Sequence, residues 1–433
     1  MITFMLNLRY NFLIFNRFKY KMTTEKSMRY QVVCIMLLYL FPCTVSSQVY
    51  GWRGPERNGI IPETGLLKSW PVNGPKMVWS FNSLGDGHTS IGPGKDRFFI
   101  TGLEGSKGYL FAFTYEGKLL WKKAYGPEWN ENYPGPRSTP VVIDDLVYFQ
   151  SGHGVIYCVK ASDGSLVWSA DLQKRYGGQQ VTWGMVENIL IVGDRLFCTP
   201  GGEKNNVACL SRLNGETIWT SPGNKKASAY CSSLYVRHKN AELIVTITDG
   251  SIIGIDAKTG QFYWDVPQKQ RNKIHANVPV YAGGVIYCAS ENEASDNGLV
   301  ALALSDDGRK VTQLWRNSEF KNLMEGFVVK DGLIFGSVYN AGKWLCVNAS
   351  DGKILHVSNA FGDGSIIWAD GLLYCYSKRG EFALMSADRN SFSLISRFRV
   401  TMGDGPHFSH PVIYMGRLYI RHGSALMVYD VKA

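Results

Sequence analysis

From residue 76 onward the chain is a succession of short apolar runs, each set off by a turn signal. In "SDGSLVW" (162–168), "LNGETIW" (213–219) and "KTGQFYW" (258–264), a glycine turn is followed by a short apolar run that ends on tryptophan. Short alternating runs of this kind are typical of β-strands, and Asp-Gly or Asn-Gly supplies the positive φ angles of a tight hairpin turn. No amphipathic helical stretch of any length intervenes. The pattern therefore predicts an all-β chain of short strands.

The closing aromatic residue recurs at a nearly constant interval. Successive copies are 41 to 51 residues apart, which is the range of propeller blades. The closing positions are Trp79, Trp121, Trp168, Trp219, Trp264, Trp315, His356 and Phe398. A second strand type, with an aromatic residue after branched or apolar residues, also occurs eight times. Both series predict an eight-bladed β-propeller with tryptophan-docking repeats.

The two ends of the repeat region complement each other. The last unit, 425–433, has the strand before the turn and lacks the strand after it, whereas residues 76–81 form a tryptophan strand without a partner. An N-terminal strand is therefore predicted to close the ring, which removes two open sheet edges. The predicted division is an N-terminal segment (48–75) followed by the propeller (76–433).

The recurring tryptophans are predicted to be structural. A tryptophan at the end of an outer strand fills the wedge between neighbouring sheets, and its indole N–H can reach a backbone carbonyl. This role is assigned to Trp79, Trp121, Trp168, Trp219, Trp264 and Trp315, with a ligand-binding role as the alternative. Cysteines also recur at fixed repeat positions, which favours small apolar core residues over disulfides.

Residues 1–47 have the pattern of a secretory signal peptide whose true start is Met28. A basic residue precedes the apolar run Val32–Phe41, then Pro42 and small residues lead to a cleavage point before Gln48. The alternative is a lipid anchor on Cys43, although the preceding proline fits that motif poorly. The protein is therefore expected to be exported to the periplasm or the extracellular space of a bacterium, and membrane association is expected only through such an anchor or a partner.

The formal charge of +10 is concentrated at this end of the chain. Residues 1–47 hold six Lys or Arg residues and one acidic residue, which leaves +5 on the remainder. So small an excess gives little support for a polyanionic partner, and nucleic-acid binding is not expected.

The segment 254–264, "GIDAKTGQFYW", resembles the tryptophan-docking repeat of pyrroloquinoline-quinone (PQQ) type propellers. "WRGPERNG" (52–59) is similar to the start of secreted bacterial PQQ-like repeat proteins. The resemblance implies two classes of function: alcohol dehydrogenases that use PQQ and calcium, and the cofactor-free lipoprotein of outer-membrane β-barrel assembly. The dehydrogenases place adjacent cysteines against the quinone, and this sequence has no such pair. No catalytic residue is assigned, and neither PQQ nor calcium is expected.

Loops that lead from one blade to the next converge on a central funnel, where ligands bind to propellers. The candidate binding residues there are His88, Arg137, Trp183, Tyr230, His275, Glu325, Asp363, His407 and His410. The histidines fit either a metal site or ordinary hydrogen bonding, and no metal site is assigned. Arg137 fits either a clamp for an anionic ligand or an ion pair with Glu128 or Glu131.

The predicted function is a secreted or periplasmic scaffold of the cell envelope. It is expected to be a monomer that binds a protein, a polar or anionic small molecule, or a saccharide at the funnel. One alternative is a PQQ-dependent alcohol or sugar dehydrogenase. The other is a carbohydrate-binding propeller, which the aromatic residues Trp129, Tyr133, Trp183 and Tyr230 favour.

Overall fold

A computed structural model of the protein describes residues 51–269, 273–291 and 298–433. The predictions of a signal peptide, a start at Met28 and a lipid anchor at Cys43 lie outside the described residues. The described chain folds as eight sheets of four antiparallel strands, to one of which a fifth, parallel strand is added. The predicted all-β eight-bladed propeller is confirmed.

Two strands precede the first complete blade, β1 (Ile60–Ile61) and β2 (Met77–Phe81). Blade 1 comprises β3 (Gly92–Pro93), β4 (Arg97–Glu104), β5 (Lys107–Thr114) and β6 (Leu119–Pro127). Blade 2 comprises β7 (Val141–Ile143), β8 (Leu146–Gln150), β9 (Val155–Lys160) and β10 (Leu166–Asp171). Blade 3 comprises β11 (Leu190–Val192), β12 (Arg195–Cys198), β13 (Val207–Ser211) and β14 (Thr217–Ser221). Blade 4 comprises β15 (Leu234–His238), β16 (Ala241–Thr248), β17 (Ser251–Asp256) and β18 (Phe262–Pro267).

Blade 5 comprises β19 (Val280–Ala282), β20 (Val285–Ser290), β21 (Gly298–Leu304) and β22 (Val311–Asn317). Blade 6 comprises β23 (Phe327–Lys330), β24 (Leu333–Val338), β25 (Lys343–Asn348) and β26 (Ile354–Ser358). Blade 7 comprises β27 (Gly364–Ala369), β28 (Leu372–Ser377), β29 (Glu381–Ala387) and β30 (Phe392–Arg399). Blade 8 comprises β31 (Val412–Tyr414), β32 (Arg417–His422), β33 (Ala425–Asp430) and β2.

A short helix, α1 (Leu172–Tyr176), follows blade 2. Asp171 caps its N-terminus by accepting hydrogen bonds from two backbone N–H groups of the first turn. None of the helices that the structure describes has the length and apolar run that a membrane crossing requires.

The N-terminal strand β2 closes the ring, as predicted. It pairs antiparallel with β33, with Met77 opposite Tyr429 and Phe81 opposite Leu426. First strands of neighbouring blades contact one another, for example β3 with β7 and β23 with β27, so these strands surround the central channel. Successive strands of a blade alternate in direction. The loops between blades therefore share one end of the ring, the funnel face, and the glycine turns before the outer strands lie at the other end.

Each outer strand contains a β-bulge at the same place. In blade 2, Leu166 pairs with Val159 and Trp168 pairs with Cys158, so that Val167 is skipped. The skipped residues are Val78, Leu120, Val167, Ile218, Tyr263, Leu314, Leu355 and Ile395. A bulge disrupts regular pairing at an edge and so limits edge-to-edge aggregation. It also accounts for the exposure of six of these eight apolar side chains.

Five of the six docking tryptophans lie over the turn glycine of the following blade. A Cβ atom on Gly215 would lie 2.7 Å from the ring of Trp168, whose Nε1 donates to the carbonyl of Arg212 at 2.9 Å. The equivalent ring and glycine pairs are Trp79 with Gly117, Trp121 with Gly164, Trp219 with Gly260 and Trp315 with Gly352. Trp264 donates to the carbonyl of Gly308 at 3.0 Å. The glycine is required because its φ is positive and because the ring leaves no room for a side chain.

The eighth docking position, at Phe398, is occupied in a shifted register: a Cβ atom on Gly74, in the turn before β2 of blade 8, would lie 2.5 Å from the ring of Phe398. The bulge in β30 pairs Leu384 with Ser396, which places Ser396 in the slot that tryptophan occupies elsewhere. Trp70 adds a second ring to this interface, since its backbone N–H donates to Ser396 Oγ and its ring centroid lies 5.6 Å from that of Phe398. The N-terminal segment therefore completes the interface between blades 7 and 8.

Candidate functional site

The N-terminal segment passes through the central channel before it reaches blade 8. Arg53 donates through Nη2 to the carbonyl of Phe327 at 2.6 Å and through Nη1 to that of Ile366 at 3.2 Å. Arg57 donates to the carbonyls of Asn188 and Ile189 at 2.8 and 2.9 Å. Beyond them, β1 pairs parallel with β27 on the channel side of blade 7. The segment thus ties blades 3, 6 and 7 together from inside the ring.

Both arginines are buried and neither forms an ion pair among the described residues, although the charge of Glu187 acts on Arg57. Desolvation by burial lowers the pKa of Arg53 to about 9 and that of Arg57 to about 10. Both side chains therefore remain charged at neutral pH, and backbone carbonyls solvate the charge. Because these side chains fill the channel, the space open to a ligand lies above them, at the funnel face.

That space is a cavity of about 340 Å³, the funnel cleft. It is lined by Trp52, His88, Tyr133, Arg137, Trp183, Val186, Asn188, Tyr230, Ser232, Ile274, Ala276, Leu323, Met324, Tyr339, Phe408 and His410. Rings dominate the walls, since Tyr133 lies 5.9 Å from Trp183 and 5.5 Å from Phe408 between ring centroids. A mostly apolar cavity with a few converging polar groups is the usual form of a binding site.

Five of the nine predicted binding residues line the funnel cleft: His88, Arg137, Trp183, Tyr230 and His410. Four do not: His275, Glu325, Asp363 and His407. A ligand-binding role for the first five stays a prediction.

His88 presents a neutral imidazole to the cleft. Desolvation lowers its pKa to about 3, and the positive charges of Arg137 and Arg421 act in the same direction. Neither ring nitrogen has a hydrogen-bond partner in the protein, although the carbonyls of Tyr133 and Pro134 face the ring. A neutral imidazole offers one donor and one acceptor, and the carbonyls of Tyr133 and Pro134 lie where its N–H can donate.

His410 is held in place by its neighbours. Its Nδ1 lies 3.4 Å from Arg53 Nη1, its Nε2 lies 3.1 Å from the carbonyl of Met324, and its ring meets Trp52 edge-on at 5.0 Å. Burial lowers its pKa to about 3. His410 therefore joins the channel segment to the floor of the funnel cleft.

Arg137 stabilises its own loop. It donates to the backbone carbonyls of Gly135 at 2.8 Å and Asn132 at 2.9 Å, and also to that of Tyr133. Desolvation lowers its pKa to about 10, so it stays charged. It forms no ion pair with Glu128 or Glu131 among the described residues, and its bonds instead hold the exposed ring of Tyr133 at the cleft.

Trp129 does not reach the surface. The ring is buried over Gly184 and Gly152, and Nε1 donates to the carbonyl of Asn132 at 3.1 Å. Of the four aromatic residues that favoured carbohydrate binding, the other three line the funnel cleft.

Glu325 and Asp363 face a partly buried lysine, Lys378, between blades 6 and 7. Lys378 Nζ lies 2.5 Å from Glu325 Oε1 and 3.2 Å from Asp363 Oδ2. The same ammonium lies 3.6 Å from the ring centroid of Tyr339. These carboxylates therefore neutralise Lys378 and join two blades.

The other two predicted residues also point away from the cleft. His407 Nδ1 lies 2.5 Å from the hydroxyl of Tyr376, and its ring stacks on that of His422 at 3.6 Å. His275 is fully buried. The neighbours of His275 on either side, Ile274 and Ala276, line the cleft instead.

Polar residues one repeat apart link the blades at the base of the funnel. Their hydrogen bonds are Ser90 N to Thr139 Oγ1 (3.1 Å), Thr139 N to Asn188 Oδ1 (2.7 Å), Asn188 N to Ser232 Oγ (3.0 Å) and Gly326 N to Asn277 Oδ1 (2.9 Å). Their separations along the chain are 49, 49, 44 and 49 residues. This spacing is the sequence signal that could have placed Asn188 and Ser232 in the cleft. Tyr339 and Phe408 carry no such signal, because loop aromatics do not follow the strand repeat.

The sequence profile of a PQQ-type repeat family, described as outer membrane protein assembly factor BamB, matches residues 106–358. The chain belongs to this family. Outer membrane protein assembly factor BamB of Yersinia pestis is 22% identical over 336 residues, which cover 71% of this chain and 77% of the relative. Tetrathionate hydrolase of Acidithiobacillus ferrooxidans is 22% identical over 440 residues, which cover 89% of this chain and 78% of the relative.

Among solved structures, quinohemoprotein alcohol dehydrogenase from Comamonas testosteroni superposes with a TM-score of 0.60 at 10% sequence identity. The match covers 91% of this chain and 82% of the dehydrogenase. At this identity the likeness shows the fold alone. The PQQ-like propeller is therefore shared by relatives whose names denote an assembly factor, a hydrolase and a dehydrogenase, and the activity must be argued from the site.

The residues at the funnel do not fit PQQ with calcium. Calcium takes several oxygen ligands, commonly carboxylates, and the described lining of the funnel cleft includes no Asp or Glu. Within the described ranges, no group of three or more His, Cys, Asp or Glu side chains is arranged to hold a metal. The channel below the cleft is filled by Arg53 and Arg57.

Proposed function

We propose that this PQQ-like propeller is a partner-binding protein of the bacterial cell envelope that holds a segment of another protein at the funnel cleft. The observation that carries the proposal is the form of the site. An aromatic cleft lies at the funnel face, directly above a channel that the protein's own N-terminal segment fills.

The composition of the cleft supports a protein partner. Trp, Tyr and Arg are the residues that most often dominate binding energy at protein interfaces, and Trp183, Tyr133 and Arg137 stand together here. Tyr133 is 51% exposed although its ring contacts two others, so it offers a pre-arranged apolar surface. The name of the Yersinia relative, an outer membrane protein assembly factor, points to the same class of function.

Site-specific photo-crosslinking in exporting cells tests the proposal. A photoreactive phenylalanine analogue is placed at Trp183 or Tyr133, and for comparison at Leu213, which is exposed in a turn at the opposite end of the ring. Adducts identified by mass spectrometry as the same polypeptide at both funnel positions, and absent at Leu213, are expected. Adducts no more abundant at the funnel than at Leu213 would reject the proposal.

A second measurement separates this function from the dehydrogenase alternative. The purified protein is incubated with PQQ and calcium, and dye-linked oxidation of alcohols and sugars is measured. We expect no turnover above a no-protein control. Turnover that depends on added PQQ would replace the binding proposal.

A further inference from the structure

Three exposed lysines lie in the loops that lead to the funnel cleft. Lys225 and Lys226 are exposed in the loop that continues to Tyr230, and Lys273 is exposed immediately before Ile274. We call these three lysines the basic rim. Tyr230 and Ile274 both line the funnel cleft, so the loops that carry the basic rim continue into the walls of the cleft.

Contacts within the loops hold the basic rim together. A Cβ atom on Gly250 would lie 3.9 Å from Lys226 Nζ, and Lys273 Nζ pairs with Asp249 at 2.8 Å. The backbone N–H of Asp249 donates to the carbonyl of Ala227 at 3.0 Å. Lys226 and Lys273 therefore lie beside a hairpin that supplies one carboxylate, Lys225 adjoins Lys226 in the chain, and the described lining of the cleft adds no carboxylate. The electrostatic potential at this side of the funnel is consequently positive.

The backbone at these loops is unusual. Outside the short hairpin turns, the described non-glycine residues with positive φ are Arg53 and Arg57 in the channel and Tyr133, Lys225, Tyr230 and Lys273 in the funnel loops. Their φ angles lie between 52° and 68°. Side chains other than glycine rarely adopt this conformation, and its cost is concentrated at binding sites in proteins. Two aromatic cleft residues and two lysines of the basic rim are therefore held in strained positions.

Building on the proposed function, we infer that the partner segment is acidic and carries an aromatic side chain as its anchor. The anchor enters the funnel cleft and packs against the rings of Tyr133, Trp183 and Phe408. Asp or Glu residues beside it contact the basic rim. The cleft volume of about 340 Å³ lies at the lower end of the range for ligand pockets, which suits a large side chain and its neighbours. Aromatic pairs contribute roughly 0.5–1.5 kcal/mol beyond the area they bury.

Fluorescence anisotropy with synthetic peptides tests this inference on the exported protein. The probe is a fluorescein-labelled nonapeptide with a central Phe between Asp and Glu residues. Two comparison peptides replace the Phe by Ala or the acidic residues by Lys. We expect the dissociation constant to rise at least 10-fold for each comparison peptide, and to rise several-fold for the acidic peptide between 50 and 300 mM salt.

Protein variants locate the binding. Lys225→Glu combined with Lys226→Glu should weaken the acidic peptide at least 5-fold. Lys118→Glu combined with Lys353→Glu makes the same charge change in exposed turns at the opposite end of the ring and should leave binding unchanged. Phe408→Ala should weaken the Phe peptide and should have no effect on the Ala peptide. If that variant unfolds, Trp183→Phe supplies the same comparison with a smaller change.

The outcomes separate the inference from the function on which it rests. Equal binding of the acidic and Lys peptides, or an unchanged constant in the rim double variant, rejects the acidic anchor segment. If funnel crosslinks are found as well, the partner-binding function survives that result. Absence of both funnel crosslinks and peptide binding rejects both.

Discussion

Trp168 lies against the turn glycine of the next blade, Gly215, so closely that a methyl group there would come within 2.7 Å of the indole. Gly215 also has a φ of 72°, so the close approach and the backbone conformation both require glycine. The contact joins two blades at their outer edges. It explains why a Gly turn and a closing tryptophan recur together along the sequence.

Gly215→Ala should therefore destabilise the protein by about 2–4 kcal/mol, because left-handed strain of about 1 kcal/mol adds to overpacking of about 1–3 kcal/mol. Gly371→Ala is the matched control, since Gly371 has a φ of 82° and nothing within 4 Å of the added atom. Gly371→Ala should lose only the stability that corresponds to left-handed strain, about 1 kcal/mol. Urea denaturation measures both variants, and equal losses would show that the tryptophan contact contributes nothing.

Trp121 differs from the other docking tryptophans in its polar contact. Its Nε1 is buried without a hydrogen-bond partner, whereas Nε1 of Trp168 donates to Arg212. We expect Trp121→Phe to cost about 1 kcal/mol less than Trp168→Phe, which is the usual net value of one hydrogen bond. Thermal unfolding of the two variants provides the comparison. A larger loss of stability in Trp121→Phe than in Trp168→Phe would contradict the absence of a hydrogen bond at Trp121 Nε1.

Arg53 is expected to hold the N-terminal segment in the channel. Arg53→Met keeps much of the side-chain volume but leaves the carbonyls of Phe327 and Ile366 without their donor, at a cost of about 1–3 kcal/mol. Hydrogen exchange of residues 52–61 should accelerate at least 10-fold. Glu56→Gln, an exposed change in the same segment, should leave exchange unchanged. Unaltered exchange in Arg53→Met would mean that other contacts hold the segment.

The sequence predicted the features that repeat and missed those that do not. Trp168 and Gly215 were found because every blade has the same strand pairing. In blade 7 the sequence found Phe398 but missed the second ring, because Trp70 lies more than three hundred residues away in the chain from Ser396, to which it is hydrogen-bonded. Arg53 and Arg57 gave no sign that they fill the channel, since their partners are backbone carbonyls, which carry no side-chain signal.

The candidate site likewise has features that the sequence predicted and features that it missed. The loops that form the funnel were predicted from topology, but the direction of each side chain depends on local contacts. Glu325 was placed in the funnel by its position in the loop, whereas Lys378, on a different blade, draws the carboxylate toward the blade interface. Tyr133 reaches the cleft because Arg137 ties down the backbone of its loop.

Burial of His275 predicts a specific loss of stability in mild acid. Desolvation lowers its pKa from 6.5 to about 4, so the unfolded chain takes up the proton first as the pH falls. The part of the folding stability that depends on a neutral His275 is fully present above pH 6.5 and is lost progressively as the pH falls toward 4. By linkage, the loss of unfolding free energy between pH 7 and pH 5 amounts to about 2 kcal/mol.

His275→Leu removes this titration from a fully buried position without adding a polar group. The difference in unfolding free energy between pH 7 and pH 5 should therefore be about 2 kcal/mol smaller in the variant than in the parent, as measured by urea denaturation at both pH values. Glu128 and Glu187 act in the opposite sense, because burial raises the pKa of both carboxyls, but they are common to both proteins and cancel in the comparison. The partly buried His153 provides the comparison, and an equal change in the pH dependence of His153→Leu and His275→Leu would contradict the role of burial at His275.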